Sequence, residues 1–118
     1  MTKETLAYVT EKTRDLMAAP SCCPEAMAAA QAWLDAVGTD SEQAETKKYL
    51  AELGEDVTTI DDLIAFASSK AAAAHFGEAA AKGLLEHAQQ IKADGAKFCD
   101  CPACAAALAI LDKKAEML

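Results

Sequence analysis

The sequence predicts an all-α protein, and three observations support this fold class. Apolar residues recur at three- and four-residue intervals over most of the 118 residues, as on one face of a helix. Proline, glycine and short polar residues interrupt these segments where helices would begin and end. No run of alternating β-branched and polar residues occurs. Long helices joined by short turns run antiparallel, so we expect one antiparallel bundle domain over residues 1–118, with four long helices and short connecting ones.

The first two predicted helices flank the first cysteine turn. Helix one is predicted over Lys3–Ala18, with charged residues opposite an apolar stripe that Thr13 interrupts. That stripe consists of Leu6, Val9, Leu16 and Met17. Pro20 ends this helix, and the second helix begins at Pro24, where a missing N–H is tolerated, and stops at Gly38. The predicted buried side of the second helix consists of Ala29, Ala30, Trp33, Leu34 and Val37.

The third predicted helix carries the weakest apolar pattern of the long helices. Thr39, Asp40 or Ser41 can cap its start, and the helix ends before Gly54. Its apolar stripe consists of Ala44, Tyr49, Leu50 and Leu53. Because so few apolar residues share one face, we expect this helix to be the most exposed of the long helices.

The second half of the chain continues the helical pattern. Thr58 or Thr59 opens a short helix over Ile60–Ala67, and another short helix covers Lys70–Phe76. The inward residues predicted in the first of these are Leu63, Ile64 and Phe66. The two longer helices that follow cover Glu78–Asp94 and Pro102–Leu118. A cysteine-rich loop separates them.

The charge and hydropathy of the chain limit its partners and location. Its net charge is −8 and its pI is near 4.6, which argues against nucleic acid because phosphate binding needs a basic face. Solubility is the simplest explanation of the acidic surface, and a basic redox protein is the partner that it would suit. No apolar run approaches the ~18 residues of a membrane span, and the N-terminus lacks a secretory h-region, so we expect a cytoplasmic protein.

Five cysteines lie in two short turns, and these turns are the chemical focus of the sequence. They are Cys22, Cys23, Cys99, Cys101 and Cys104. Clustered cysteines in reducing cytoplasm are metal ligands or redox groups more often than disulfides, and an odd number argues against a pure disulfide framework. The five cysteines could instead be ordinary buried residues that pack as small apolar side chains. Their clustering at two helix starts makes this interpretation the weaker one.

The spacing of these cysteines suits a soft metal centre. Cys101 and Cys104 lie three positions apart on the first turn of a predicted helix, and Cys99 reaches the same point from the loop. A cysteine before a helical proline occupies the N-cap, where the helix dipole and the unpaired N–H groups favour the thiolate. Cys23 and Cys101 share this position, so we favour Cys23 over Cys22 as the fourth ligand. Helix directions allow the two turns to meet at one end of a bundle.

Three kinds of chemistry fit these thiols. The first is an iron–sulfur cluster, with [4Fe–4S] favoured over [2Fe–2S], that would serve electron transfer or redox sensing. The second is a structural or storage site for zinc or Cu(I). The third is thiol redox chemistry at Cys101-Pro102-Ala103-Cys104, which is demoted because the thioredoxin-like motif needs a βαβ context that this sequence lacks. The sequence favours the iron–sulfur interpretation.

Other polar residues carry weaker signals. His87 could face the core, and Asp100 lies between two cysteines, but a solvated role is the simpler interpretation of both. A di-iron site of the ferritin type needs Glu-x-x-His pairs, and the sequence contains none. Trp33 is predicted to lie in the core. No catalytic residues are indicated, so an enzyme is the less favoured interpretation.

Three stretches of the chain resemble a family of short helical proteins from anaerobic bacteria. They are Ser21-Cys22-Cys23-Pro24, Gln31-Ala32-Trp33-Leu34-Asp35 and Cys99-Asp100-Cys101-Pro102-Ala103-Cys104. Members of that family often carry a heat-shock chaperone label, but this sequence has neither a Gly-rich phosphate loop nor a β-rich nucleotide-binding fold. The resemblance spans nearly the whole chain. It implies the cytoplasm of an anaerobe, where an exposed iron–sulfur cluster survives.

Overall fold

The computed structural model describes residues 1–118 and contains eight α-helices and no strands, which confirms the all-α prediction. The helices are α1 Lys3–Ala18, α2 Pro24–Ala36, α3 Glu42–Asp56, α4 Ile60–Ala67, α5 Lys70–Phe76, α6 Glu78–Ala93, α7 Pro102–Leu111 and α8 Lys114–Met117. None of these helices has the length and apolar content that crossing a membrane requires. The observed bounds of α1, α4 and α5 agree with those predicted.

The chain divides into two compact units. The first comprises Met1–Val57 and Asp100–Leu118, and the second comprises Thr58–Cys99. In the first unit α1 and α3 each pack against both α2 and α7. The largest fully buried side chains all belong to this unit; they are Trp33, Tyr49, Leu16, Leu53, Ile110, Val9, Thr13 and Thr46. In the second unit α6 packs against both α4 and α5.

Two hydrogen-bonded pairs of polar side chains lie inside the first unit and link its helices. The hydroxyl groups of Thr13 and Tyr49 are 2.9 Å apart, and the indole Nε1 of Trp33 donates to Oγ1 of Thr46 at 2.9 Å. Each buried polar group thereby finds the partner that burial requires. The rings of Trp33 and Tyr49 stack with centroids 5.5 Å apart. Trp33 is therefore a core residue, as predicted.

These pairs correct two expectations about exposure. Thr13 does not interrupt the buried stripe of α1, because its side chain is 0% exposed and bonded to Tyr49. Helix α3 is not the most exposed long helix, since it buries Thr46, Tyr49, Leu50 and Leu53. Predicted stripe residue Ala44 is exposed instead. Helix α6 buries only Ala81 and Ala88, so it is the more exposed.

Four helix ends differ from the predicted ones, and that of α6, at Ala93 instead of Asp94, differs by a single residue. Helix α2 ends at Ala36, and the backbone leaves helical geometry at Val37, just before Gly38 with its φ of +83°. Helix α3 continues through Gly54 to its end at Asp56. A helix interior tolerates glycine at a cost of about 1 kcal/mol, which the packing of α3 outweighs. The last predicted helix is broken after Leu111, and α8 then buries Met117 against the core.

The second unit exposes more of its apolar residues than the sequence predicts. Phe66 is 42% exposed rather than inward, and its ring meets that of Phe76 edge to face, with centroids 6.1 Å apart. Leu63 is buried as predicted, while Ile64 is half-buried. Helix α4 is only 8 residues long, and its buried side carries Ile60, Leu63 and Ala67. Phe66 lies outside that narrow side, so the unit leaves its ring at the surface.

The second unit ends in a short backbone pairing that holds the start of the cysteine loop. The backbone N–H of Cys99 donates to the carbonyl of Thr58 at 2.8 Å, and Ile60 donates to Lys97 at 2.9 Å. Thr59 lies between these bonds and also caps α4, its hydroxyl accepting from the N–H of Asp62 at 3.2 Å. The pairing fixes the backbone of Cys99 where the chain leaves this unit.

Candidate metal centre

The six-residue segment from Cys99 to Cys104 brings three sulfur atoms together. The Sγ atoms of Cys99, Cys101 and Cys104 all lie within 4.8 Å of one another. Cys99 and Cys104 are each 8% exposed, while Cys101 is half-buried. Thiolates at such separations are ligands for soft and borderline metal ions. The segment could therefore hold a metal ion, which confirms the part of the prediction that concerns these three residues coming together.

The local sequence explains why the three sulfurs meet. Cys101 adopts extended backbone angles (φ −61°, ψ 158°) as the N-cap of α7, and Pro102 occupies the first helical position. The Sγ atom of Cys101 accepts the N–H of Cys104 at 3.4 Å, which closes the first turn and places the two thiols side by side. The backbone bond of Cys99 to Thr58 positions the third thiol just before this turn. The predicted N-cap role of Cys101 is confirmed.

The first cysteine turn repeats this arrangement at the start of α2. Cys23 is the N-cap, with φ −74° and ψ 155°, and its Sγ atom accepts the N–H of Ala26 at 3.4 Å. Cys22 precedes it, and its thiol donates to the carbonyl of Cys23 at 3.5 Å. Both side chains are half-buried against the core of the first unit. The predicted N-cap role of Cys23 is also confirmed.

The two cysteine turns are joined by a hydrogen bond within the first unit. The N–H of Ala103, which lies between Cys101 and Cys104, donates to Oγ of Ser21 at 3.3 Å. The group of mutually close sulfur atoms nevertheless contains neither Cys22 nor Cys23. The structure thus brings the turns together through Ser21, and a fourth sulfur ligand from Cys22 or Cys23 remains a prediction.

The surroundings of the first turn raise the pKa of both of its thiols. Burial raises the pKa of Cys22, with a smaller contribution from Cys23. Burial also raises the pKa of Cys23, and this effect outweighs the lowering by the N–H of Ala26. The carboxyl groups of Asp56 and Glu25 raise it further. The helix-start N–H of Ala26 favours the thiolate of Cys23, as expected, but burial and the two carboxyl groups raise its pKa overall. Metal binding at Cys23 requires the thiolate and would have to overcome this net effect.

Asp56 is a neighbour of the first turn that the sequence did not indicate. Its pKa is raised, mainly by burial, and the nearby Cys23 thiol acts in the opposite direction. Its Oδ2 atom is buried and has no hydrogen-bond partner. Repulsion by Asp56 in turn raises the pKa of Glu52. Asp56 ends α3 while Cys23 begins α2, so only the packing of these helices reveals their contact.

The remaining candidates lie away from this chemistry. His87 is exposed on α6, which agrees with the simpler interpretation of a solvated residue and not with a core position. His75, the other histidine of the chain, is also exposed, and its ring lies against that of Phe76 with centroids 4.6 Å apart. Asp100 is exposed in the cysteine loop, as expected for a solvated turn residue. None of these three side chains enters the group of close sulfurs.

The chain matches no protein-family model, no curated protein and no solved structure.

Proposed function

We propose that this protein binds a metal through cysteine thiolates, with Cys99, Cys101 and Cys104 as three ligands and Cys22 or Cys23 as the fourth. The observation that carries this proposal is the mutual approach of the three sulfur atoms to within 4.8 Å. The hydrogen bond between Ser21 and Ala103 supports the choice of the first turn as the source of the fourth ligand.

The separation of the sulfurs favours a single metal ion. In a tetrahedral zinc site with Zn–S bonds of about 2.3 Å, the ligand sulfurs stand about 3.8 Å apart. The three Sγ atoms of this protein lie within 4.8 Å of one another, which is compatible with that spacing. A Cu(I) thiolate site is similarly compact. In a [4Fe–4S] cluster each cysteine binds a different iron, so the ligand sulfurs lie farther apart. We therefore infer a structural or storage metalloprotein that holds zinc or Cu(I).

An iron–sulfur cluster is the second candidate, and the amide groups around the cysteines favour it. The N–H groups of Ala26 and Cys104 both donate to cysteine sulfurs, and such bonds stabilise a reduced cluster and raise its potential. A [2Fe–2S] cluster places two cysteines on each iron and keeps sulfurs in close pairs. A cluster would serve electron transfer or redox sensing in a reducing cytoplasm. The net charge of −8 suits a basic redox partner.

Metal analysis of protein purified without oxygen separates the two candidates. Colourless protein with one zinc or Cu(I) ion per chain is the outcome that the sulfur geometry favours. Brown protein with broad absorption near about 400 nm, containing iron and acid-labile sulfide, would establish the iron–sulfur candidate instead. Protein that takes up none of these metals, in cells or after reconstitution, would refute the proposal as a whole.

A further inference from the structure

Ser21 makes a hydrogen bond that differs from those of the other capping hydroxyls in this chain. Thr2, Thr59 and Ser69 each accept an N–H from the helix that they themselves begin. Ser21 instead accepts the N–H of Ala103, which lies 82 positions away in the sequence, at 3.3 Å. The bond therefore does not define the start of a local helix. It attaches the turn that precedes α2 to the first turn of α7.

The amide that Ser21 binds lies inside the proposed ligand set. First-turn N–H groups of a helix have no intrahelical acceptor and need one from elsewhere. In α7 the N–H of Cys104 is accepted by Sγ of Cys101, and the N–H of Ala105 by the carbonyl of Cys101. The N–H of Ala103 falls between these two cysteines in sequence, and the hydroxyl of Ser21 is its acceptor. The residue after Ser21 is Cys22, so this hydroxyl connects both groups of cysteines.

We propose that Ser21 is a positioning residue of the metal centre: it holds the Cys22–Cys23 turn against the start of α7, so that a thiol of that turn completes coordination by Cys99, Cys101 and Cys104. This inference rests on the proposed function and deepens it. The hydroxyl of Ser21 is not itself a ligand. Because Ser21 is exposed, water can replace its hydroxyl as the acceptor for Ala103, but water cannot hold the turn in place.

Cobalt binding by the metal-free protein tests this role. Sulfur-to-cobalt charge-transfer absorption increases with each thiolate bound, so Co²⁺ counts the sulfur ligands as well as reporting affinity. We expect four thiolates in the unaltered protein. In Ser21→Ala we expect three thiolates and a Co²⁺ affinity about 10- to 100-fold lower, the range typical of residues that orient metal ligands. Ser21→Thr retains the hydroxyl and should restore the four-thiolate spectrum.

Ser69→Ala is the matched control, because it removes a hydroxyl that caps a helix in the second unit. It should bind Co²⁺ like the unaltered protein, and circular dichroism should show the same helix content in every variant. A Ser21→Ala protein with a four-thiolate spectrum and unchanged affinity would overturn the role of Ser21 and leave metal binding intact. A three-thiolate spectrum in the unaltered protein would also overturn the role of Ser21, because no thiol of the first turn would then be a ligand, and it would leave metal binding intact. Absence of Co²⁺ binding in the unaltered protein would refute the proposed function itself.

Discussion

Cys101 both caps α7 and belongs to the group of close sulfurs, and replacing its sulfur atom by oxygen separates these two roles. Its sulfur belongs to the close group and also accepts the first-turn N–H of Cys104. Serine is a good N-cap but a poor ligand for soft metals. We therefore expect Cys101→Ser to keep its helix content and lose most of its bound metal, measured by elemental analysis of the purified protein. Full metal occupancy in this variant would show that Cys101 is not a ligand.

Cys22 and Cys23 form a matched pair of substitutions for the fourth ligand. Cys23 occupies the N-cap of α2, as Cys101 does in α7, whereas the thiol of Cys22 donates to a backbone carbonyl. We expect Cys23→Ser to lower metal affinity at least tenfold and Cys22→Ser to leave it within a few-fold, as measured by competition with a chelating dye. The reverse order would assign the ligand to Cys22.

Tyr49 provides a pH-dependent test of the core. Burial raises its pKa to about 12, and the hydrogen bond with Thr13 only partly opposes this. In the unfolded chain the pKa is about 10, so the stabilisation of the neutral phenol is fully present below pH 10. It is lost as the pH rises from about 10 to about 12, by at most about 3 kcal/mol.

Urea unfolding of the unaltered protein and of Tyr49→Phe, at pH 9 and at pH 11.5, measures this effect. The variant cannot titrate at this position, so its free energy of unfolding should fall less between the two pH values. Other groups that ionise in this range are common to both proteins and cancel in the comparison. Equal losses in the two proteins would show that ionisation of Tyr49 is not coupled to unfolding.

At the scale of the element, α3 contains a glycine that its structure does not require. Gly54 has helical neighbours on both sides, its φ is not positive, and a Cβ at this position would meet nothing within 4 Å. Gly54→Ala should therefore raise the free energy of unfolding by about 0.5–1 kcal/mol, because alanine loses less backbone entropy on folding.

Gly38 is the matched control for that substitution. A Cβ at Gly38 would also meet nothing within 4 Å, but the φ of +83° is strained for any other residue. Gly38→Ala should lower stability by about 1 kcal/mol in the same thermal or urea unfolding measurement. If both substitutions changed stability in the same direction, backbone conformation would not explain the glycine in α3.

At the scale of the whole molecule, the core is rich in alanine and each alanine buries little surface. More than a third of the buried hydrophobic residues are alanines, including Ala26, Ala30, Ala72, Ala81 and Ala88. Such interiors let helices approach closely but supply limited hydrophobic stabilisation. A bound metal compensates for a small core, because its binding free energy adds to the free energy of folding.

Metal removal should therefore lower the stability of the protein. At a free metal concentration of 100 times the Kd, binding adds about 2.7 kcal/mol to the free energy of unfolding. We expect the midpoint of urea unfolding to fall when a chelator is added and to recover when metal is restored. Cys101→Ser should show the lower midpoint with or without chelator. A midpoint in the unaltered protein that ignores the chelator would contradict a stabilising role for the metal.

Much of the fold and part of the site could be predicted from the sequence, because the signals involved act within one turn. The prolines that follow Cys23 and Cys101 mark both N-caps, and the polar residues before α4 and α5 mark their starts. The three-residue spacing of Cys101 and Cys104 places their thiols together on one helical turn. Each of these features depends only on neighbouring residues.

What the sequence determined by itself was the helical class, most helix boundaries and the cysteine caps. Only the tertiary structure decided that Thr13 is buried, that Phe66 is exposed and that α3 passes through Gly54. It also placed Asp56 beside Cys23, and Ser21 against the amide of Ala103. The reason is physical: caps and periodicity act over a few residues, whereas burial and contact depend on which distant helix supplies the neighbouring surface.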